Sequence, residues 1–341
     1  MATYQSKLIE NKKNWEKFVL SQKPQSFLQS WNWGETNKLL GNQVIRLGFF
    51  NVNRRLVGCA QVIIERARRG PYFLIPGGPL IDWSNKSLVS FVLKELKNLA
   101  FAEKVWFIRL RPEVSDSPDA REKFKKLGFI KSPMHLHAQN TWVLRLKPEE
   151  EEILAAMRKT TRYLIRQSLS KGLEIEEHKS SDMAPMLYKL QEETVKRHKF
   201  VPFSQKLFEA QLETFGQDNQ ASLFVCKLKS EVLAAAIIVF YGDYAYYHHS
   251  GSVSTHRDLP FSYFMQWNII KVAKKRGKTG YNFWGIAPTD DPRHRFYGVT
   301  IFKKGFGGER IDWLPAQDLP ISPLYWLTYM FEKGRRVSRG L

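Results

Sequence analysis

Ser222-Leu-Phe-Val-Cys-Lys227, Val232-Leu-Ala-Ala-Ala-Ile-Ile-Val-Phe-Tyr241 and Tyr244-Ala-Tyr-Tyr-His-His-Ser250 follow one another in the second half of the chain. Each run is short, apolar and rich in β-branched or aromatic residues, the pattern of a strand. Gly242-Asp243 supplies a tight turn before the third run. Residues 261–275 then read as a helix and Tyr281 to Ile286 as another strand. The unit is therefore hairpin, strand, helix, strand.

Working outward, the same order appears in the first half. Residues 43–50 and 55–67 form a hairpin about Asn51, Val52 and Asn53, and Tyr72 to Ile75 is a strand stopped by Pro76-Gly77-Gly78-Pro79. Residues 85–102 put Leu88, Phe91, Val92, Leu96 and Leu99 on one helical face. Residues 104–110 return to strand, 119–126 to helix and 141–146 to strand. Strands alternating with helices predict an α/β class, here two tandem domains with mixed sheets. Lys147-Pro148 sets the expected boundary, giving domains at 1–147 and 148–319, with a last helix over 324–336. Residues 149–171 read as a single helix, acidic at its start, basic in its second half and ended by Gly172.

At 341 residues and 43% hydrophobic content, the chain supports two cores and excludes disorder. No apolar run reaches the roughly 18 residues of a membrane span, and the polar start lacks a signal-peptide core, so a cytosolic protein is expected. Cys59 and Cys226 each sit in an apolar strand and read as buried small hydrophobes. A net charge of +20 points either to an anionic partner (nucleic acid, an anionic membrane or a phosphorylated substrate) or to no more than a basic proteome or a solubility effect.

Arg158, Arg162 and Arg166, four apart in the helix over 149–171, form one ridge. It serves either as a solvated face or as a track for an anion. In the strand 244–250, Tyr247 and His249 share a face. The adjacent histidines lack metal-ligand spacing with any cysteine or carboxylate cluster, so no metal is expected. After Tyr281-Asn-Phe-Trp-Gly-Ile-Ala287 the chain passes a polar loop and reaches Gly298-Val-Thr-Ile-Phe-Lys-Lys-Gly-Phe-Gly-Gly308. Read as a returning strand, this puts Lys303 and Lys304 on opposite faces. It is either a basic turn or a site where lysine meets phosphate or oxyanion and Phe306 stacks on a base. The sequence has no Walker loop, no nucleophile elbow and no zinc-protease helix. The loop His256-Arg-Asp-Leu-Pro-Phe261 has no glycine, and Pro260 has no N–H, which disfavours acyl-CoA; no cofactor is expected.

Taken in order, Phe27-Leu-Gln-Ser-Trp-Asn-Trp-Gly34, Ile75-Pro-Gly-Gly-Pro79, the basic stretch from Arg158 to Gly172, His249-Ser-Gly-Ser252 and Tyr281 to Gly308 resemble the Fem family of peptidoglycan bridge-forming aminoacyltransferases. The resemblance implies two acetyltransferase-like (GNAT-like) domains, with a C-terminal helix at 320–341 packing back on the first. It leaves no room for the helical-hairpin arm of some members between Lys206 and Ser222. It implies transfer of an amino acid from aminoacyl-tRNA to the stem peptide or bridge of a peptidoglycan precursor, lipid II or a UDP-MurNAc-peptide, by a monomer.

The same resemblance assigns the reaction centre to Lys303 and RNA contacts to Lys304, Phe306, Arg158, Arg162 and Arg166. The family's phosphate-contacting lysine falls at Asn37 or Lys38, of which Lys38 is taken. Arg197, Tyr247 and His249 complete the expected substrate contacts. Phe203 and Leu207 stand where soluble-precursor members contact nucleotide diphosphate, His249 where the family has tyrosine, and Arg111 where it has an acid. These departures shift the expected acceptor towards the lipid-linked form. Contact with an anionic membrane through Tyr325, Trp326, Leu327, Tyr329 and Phe331, followed by Lys333, Arg335, Arg336 and Arg339, fits that acceptor. An N-acyltransferase of the same fold acting on exopolysaccharide or protein N-termini, and a non-catalytic RNA-binding protein, remain as alternatives.

Overall fold

A computed structural model describes residues 4–198, 201–256 and 258–338. The chain divides into two compact units: one runs to Gln139 and resumes at Asp312, and the other spans Asn140–Ile311. The first unit opens with β1 (Tyr4–Leu8), α1 (Lys12–Ser21), α2 (Trp31–Leu39), β2 (Gln43–Asn51), β3 (Leu56–Ala67), β4 (Gly70–Pro76) and β5 (Leu80–Ile81). It continues through α3 (Lys86–Ala102), β6 (Phe107–Arg111), α4 (Pro118–Lys126) and β7 (Ile130–Lys131). The second unit holds β8 (Asn140–Arg145), α5 (Glu150–Ala156), α6 (Lys159–Ser168), β9 (Leu173–His178), α7 (Ala184–His198), α8 (Gln205–Gly216) and β10 (Ala221–Leu228). It ends with β11 (Glu231–Tyr241), β12 (Tyr244–Ser252), α9 (Phe261–Lys275), β13 (Gly280–Gly285), α10 (Tyr297–Lys304) and β14 (Glu309–Asp312). The chain then returns to the first unit with β15 (Gln317–Pro320) and α11 (Tyr325–Ser338).

Strand order in the first sheet is β1-β2-β3-β4-β6-β15-β7, with β5 also paired to β3, and in the second β14-β8-β13-β12-β11-β10-β9. Both contain the motif read from the sequence. β2–β3 and β10–β11 are antiparallel hairpins, and a long helix then carries the chain into a parallel pairing, β4 with β6 and β12 with β13. The helix in each crossover is long because parallel neighbours need a connection that spans the sheet. Asn85 caps α3 by accepting from the Leu88 N–H, and Leu88, Val92, Leu96 and Ala100 turn into the first core. In the second unit Phe264, Trp267, Ile270 and Ala273 of α9 pack on Phe224, Ile238 and Tyr281. Cys59 and Cys226 are buried in these sheets, and burial pushes the Cys226 thiol up to about 12.

The structure differs from the sequence reading in four places. The first unit ends at Gln139 rather than Lys147, because β8 pairs with β13 and so belongs to the second sheet. The second ends at Ile311 rather than 319, because β15 pairs with β6. The single helix expected over 149–171 is two, α5 and α6, broken at Met157 and Arg158. No glycine or proline breaks it. The Arg158 N–H bonds the Gly305 carbonyl at 2.9 Å instead of continuing the helical ladder, and Met157 is sunk in the core. Finally, the expected strand through Phe302 and Lys303 is helix α10. Its Thr300 hydroxyl donates to the Phe296 carbonyl and accepts from the Ala287 N–H, tying the helix to the chain leaving β13.

Candidate active site

The centre of the second unit's candidate site is the last turn of α10. Lys303 is only 6% exposed, and its ammonium donates to the Gly285 carbonyl at 2.6 Å. It stands 5.9 Å from the Tyr247 ring centroid. Among the described residues no carboxylate pairs with it. Burial disfavours the charged form and brings its pKa down to about 7. A lysine that exchanges its proton near neutrality is the kind of group that assists acyl transfer.

Gly285 is placed by an irregularity in β13. The β13–β8 register shifts between Asn282 and Gly285, and Trp284 adopts φ of 65°, with its N–H bonded to the Asn282 side chain. Left-handed backbone at a tryptophan is strained, and such strain collects at functional positions. Tyr247 lies on the side of α9, in contact with Gln266 and Ser250, and burial raises its pKa while those contacts oppose the rise. The sequence reading missed Gln266, which is fully buried, whose carbonyl accepts from the Tyr281 hydroxyl and whose side chain also contacts Tyr247. A polar residue on the apolar face of 261–275 is the signal that marks it.

His249 is not beside Tyr247. A bulge in β12 pairs Tyr247 with Ile238 and His249 with Ile237, leaving His248 as the extra residue, so strict alternation of faces fails. His249 turns to α8, with ring centroids 4.6 Å from Phe203 and 5.0 Å from Phe208. It is buried, neither ring nitrogen has a partner, and burial drives its pKa down to about 3, so it is neutral. The Phe203 N–H, bonded to Gln191, holds this aromatic cover in place. His249, expected from the sequence to contact substrate, is buried beneath this aromatic cover.

Phe306 is also corrected: it is fully buried against Tyr263, Phe283 and Phe302, so its ring is core and presents no face to a base. Lys304 is half-buried, paired with Asp290 at 2.5 Å and poised 5.6 Å from the Trp142 ring centroid. The arginine ridge is split. Arg158 and Arg166 are exposed, whereas Arg162 donates to the Ala155 and Met157 carbonyls, capping α5. Thr161 abuts Gly305, so the start of α6 and the lysine-bearing end of α10 form one patch.

Arg197 bonds Ser252 and Ser254 on the wall of a pocket of about 370 Å³ at the start of α9, which Leu164, Leu259 and Tyr263 also line. In the first unit Asn37 is buried and donates to the Trp33 carbonyl, while Lys38 is exposed and paired with Glu35 at 3.0 Å. Asn37 is therefore a structural residue, and Lys38 is the group of the two that a ligand can reach. Trp33 is buried beside Phe27, as core. Arg111 is buried and paired with Glu113 at 2.8 Å.

Two sheets, each with a hairpin followed by a helix-linked parallel pair, make this a tandem GNAT-like protein. A tandem GNAT protein from the clavulanic acid biosynthesis pathway matches with a TM-score of 0.62 at 9% identity, over 94% of this chain and 99% of that one. The crystal structure of FemX matches with a TM-score of 0.82 at 22% identity, over 95% of this chain and 99% of that one. The sequence model of the FemAB family matches residues 11–231 and 219–333. The chain belongs to the FemAB family. A relative from Staphylococcus aureus (strain MRSA252), lipid II:glycine glycyltransferase, is 24% identical over 91% of this chain and 92% of its own.

Proposed function

We propose that this protein is an aminoacyltransferase that moves an amino acid from aminoacyl-tRNA to an amine on the stem peptide or bridge of a lipid-linked peptidoglycan precursor. Family membership and the S. aureus relative's name support peptidoglycan bridge transfer. The observation that carries the chemistry is the buried Lys303, with a pKa of about 7 and no carboxylate partner among the described residues.

In the reaction the acceptor nitrogen attacks the ester carbonyl, the amide bond forms and the bond to the ribose oxygen breaks. The nitrogen gives up one proton and the ribose oxygen takes one. This aminolysis needs orientation and charge stabilisation rather than a protein nucleophile. Lys303, as ammonium, stabilises the oxyanion or the terminal tRNA phosphate, and its lowered pKa suits it to protonate the departing oxygen. Tyr247 borders the lysine. Arg158 and Arg166 take RNA phosphates, with Lys304 beside them once its pair with Asp290 exchanges. Arg197 and Lys38 meet anionic groups of the substrates. Phe203, covering His249, supports an acceptor other than a soluble nucleotide-linked one.

Labelled aminoacyl-tRNA mixed with the protein and a synthetic stem peptide tests the reading. Label should pass to the peptide amine, and Lys303→Ala should slow the passage by about a hundred- to a thousandfold. Release of label that is indifferent to the peptide would refute it.

A further inference from the structure

We infer that the outward face of α11 is a docking surface for an anionic lipid bilayer, on which the helix lies flat. The inference stands on the helix itself; the proposed lipid-linked acceptor gives it a use but is not needed for it.

The helix is anchored by one face only. Tyr325, Thr328, Tyr329 and Glu332 recur at spacings of three and four and point inward. Tyr325 and Tyr329 pack on the stacked Tyr72 and Phe107 rings. Beneath them Arg109 grips Asp318 at 2.7 and 2.8 Å, and Glu332 accepts from Arg109 at 2.7 Å and forms an ion pair with Arg69 at 2.8 Å. The Thr328 hydroxyl donates to the Arg69 carbonyl. A buried ion network of this kind fixes the rotation of the helix about its axis, because any turn would leave a buried charge unpaired.

That rotation leaves the opposite face apolar and bare. Leu324, Trp326, Leu327, Met330 and Phe331 are 45%, 50%, 65%, 66% and 57% exposed. Single exposed apolar side chains are ordinary, whereas five within eight residues form a patch that marks an interaction site. The expectation from sequence is corrected in its members: Tyr325 and Tyr329 belong to the packed face, and Met330 joins the bare one. Arg339 lies outside the described residues.

Charge identifies the occupant. At the far end of the patch Lys333 and Arg335 flank it on either side by helical geometry. Glu332 is the sole acidic side chain in the sequence of residues 324–341, and it is turned inward. The β3–β4 turn, whose Arg69 carbonyl the helix contacts, adds exposed Arg68; Arg66, at the end of β3, is exposed but paired with Glu103 at 3.2 Å. Apolar rings and chains bordered by cations suit the boundary between acyl chains and anionic headgroups. A second copy of the chain would bring these cations against each other, and RNA would leave Leu327 and Met330 in water. With 14 residues the helix is about 21 Å long, too short to cross a core of about 30 Å. No helix among the described residues is long and apolar enough to span a membrane.

The test is co-sedimentation of the full chain with vesicles of phosphatidylcholine alone or with phosphatidylglycerol added, in the absence of tRNA and acceptor. Wild type should bind the anionic vesicles and lose affinity with salt. Leu327→Glu/Met330→Glu should bind at least tenfold more weakly, with unchanged circular dichroism and unchanged transfer to a water-soluble peptide. Wild-type indifference to both vesicles, or equal binding by the double variant, would overturn the inference. So would a wild-type dimer that the variant dissolves, which assigns the face to a second copy, or a selective loss of tRNA affinity in the variant, which assigns it to RNA. Because the vesicles carry no substrate, failure here and failure of the transfer reading are separate results.

Discussion

Replacing Lys303 by methionine should stabilise the protein in a pH-dependent way while disabling it. The buried ammonium has an ordinary value of 10.5 when exposed and about 7 in place. Below pH 7 the group is charged in both folded and unfolded chains, and folding bears the full desolvation cost. Between 7 and 10.5 the unfolded chain holds a proton that the folded chain has lost, so wild-type stability gains with rising pH. At about 1.4 kcal/mol per unit, the gain from pH 6 to pH 9 is roughly 3 kcal/mol. Methionine has no such titration, so the advantage of Lys303→Met over wild type should shrink by about that amount across the interval. The bond to the Gly285 carbonyl, lost at both pH values, does not affect the difference. Urea unfolding of both proteins at the two pH values measures it, because every other titrating group cancels. An offset that stays constant with pH would show that Lys303 is not buried as an unpaired cation.

Lys303→Ala should lower single-turnover transfer by about a hundred- to a thousandfold with saturating aminoacyl-tRNA, as loss of one preorganised oxyanion donor does. Near-normal rates would remove it from the reaction. Arg158→Ala and Arg166→Ala, both at exposed positions, should each flatten the salt dependence of tRNA binding by roughly one unit, measured by titration at several salt concentrations. Arg109→Leu strips Asp318 and Glu332 of their shared partner and should cost roughly 3–5 kcal/mol in denaturant unfolding.

Much of the fold was legible because its signals are local. The hairpins, the capped α3 and the apolar runs carry their period in the sequence, and the duplicated order follows from them. The miscast features all depend on contacts distant in sequence. Val299-Thr300-Ile301 is β-branched and reads as strand, yet Thr300 is recruited by Ala287 into a helix. The break at Arg158 exists because Gly305, far along the chain, offers a carbonyl. The bulge at His248 has no glycine to announce it, and it alone decides that Tyr247 and His249 part company. Lys303 was found through resemblance and Gln266 not at all. The burial that tunes the one and sets the other between Tyr281 and Tyr247 is a property of the packed unit.

The central claim is transfer from aminoacyl-tRNA to a lipid-linked precursor. Its most direct test presents a panel of labelled aminoacyl-tRNAs with lipid II, and in parallel with the UDP-linked peptide, reading the mass of each acceptor. The account predicts that lipid II gains one or more aminoacyl residues, that the UDP-linked form gains little, and that uncharged tRNA supports neither. An acceptor that stays unmodified with every aminoacyl-tRNA, or that is modified equally well without any, would contradict it.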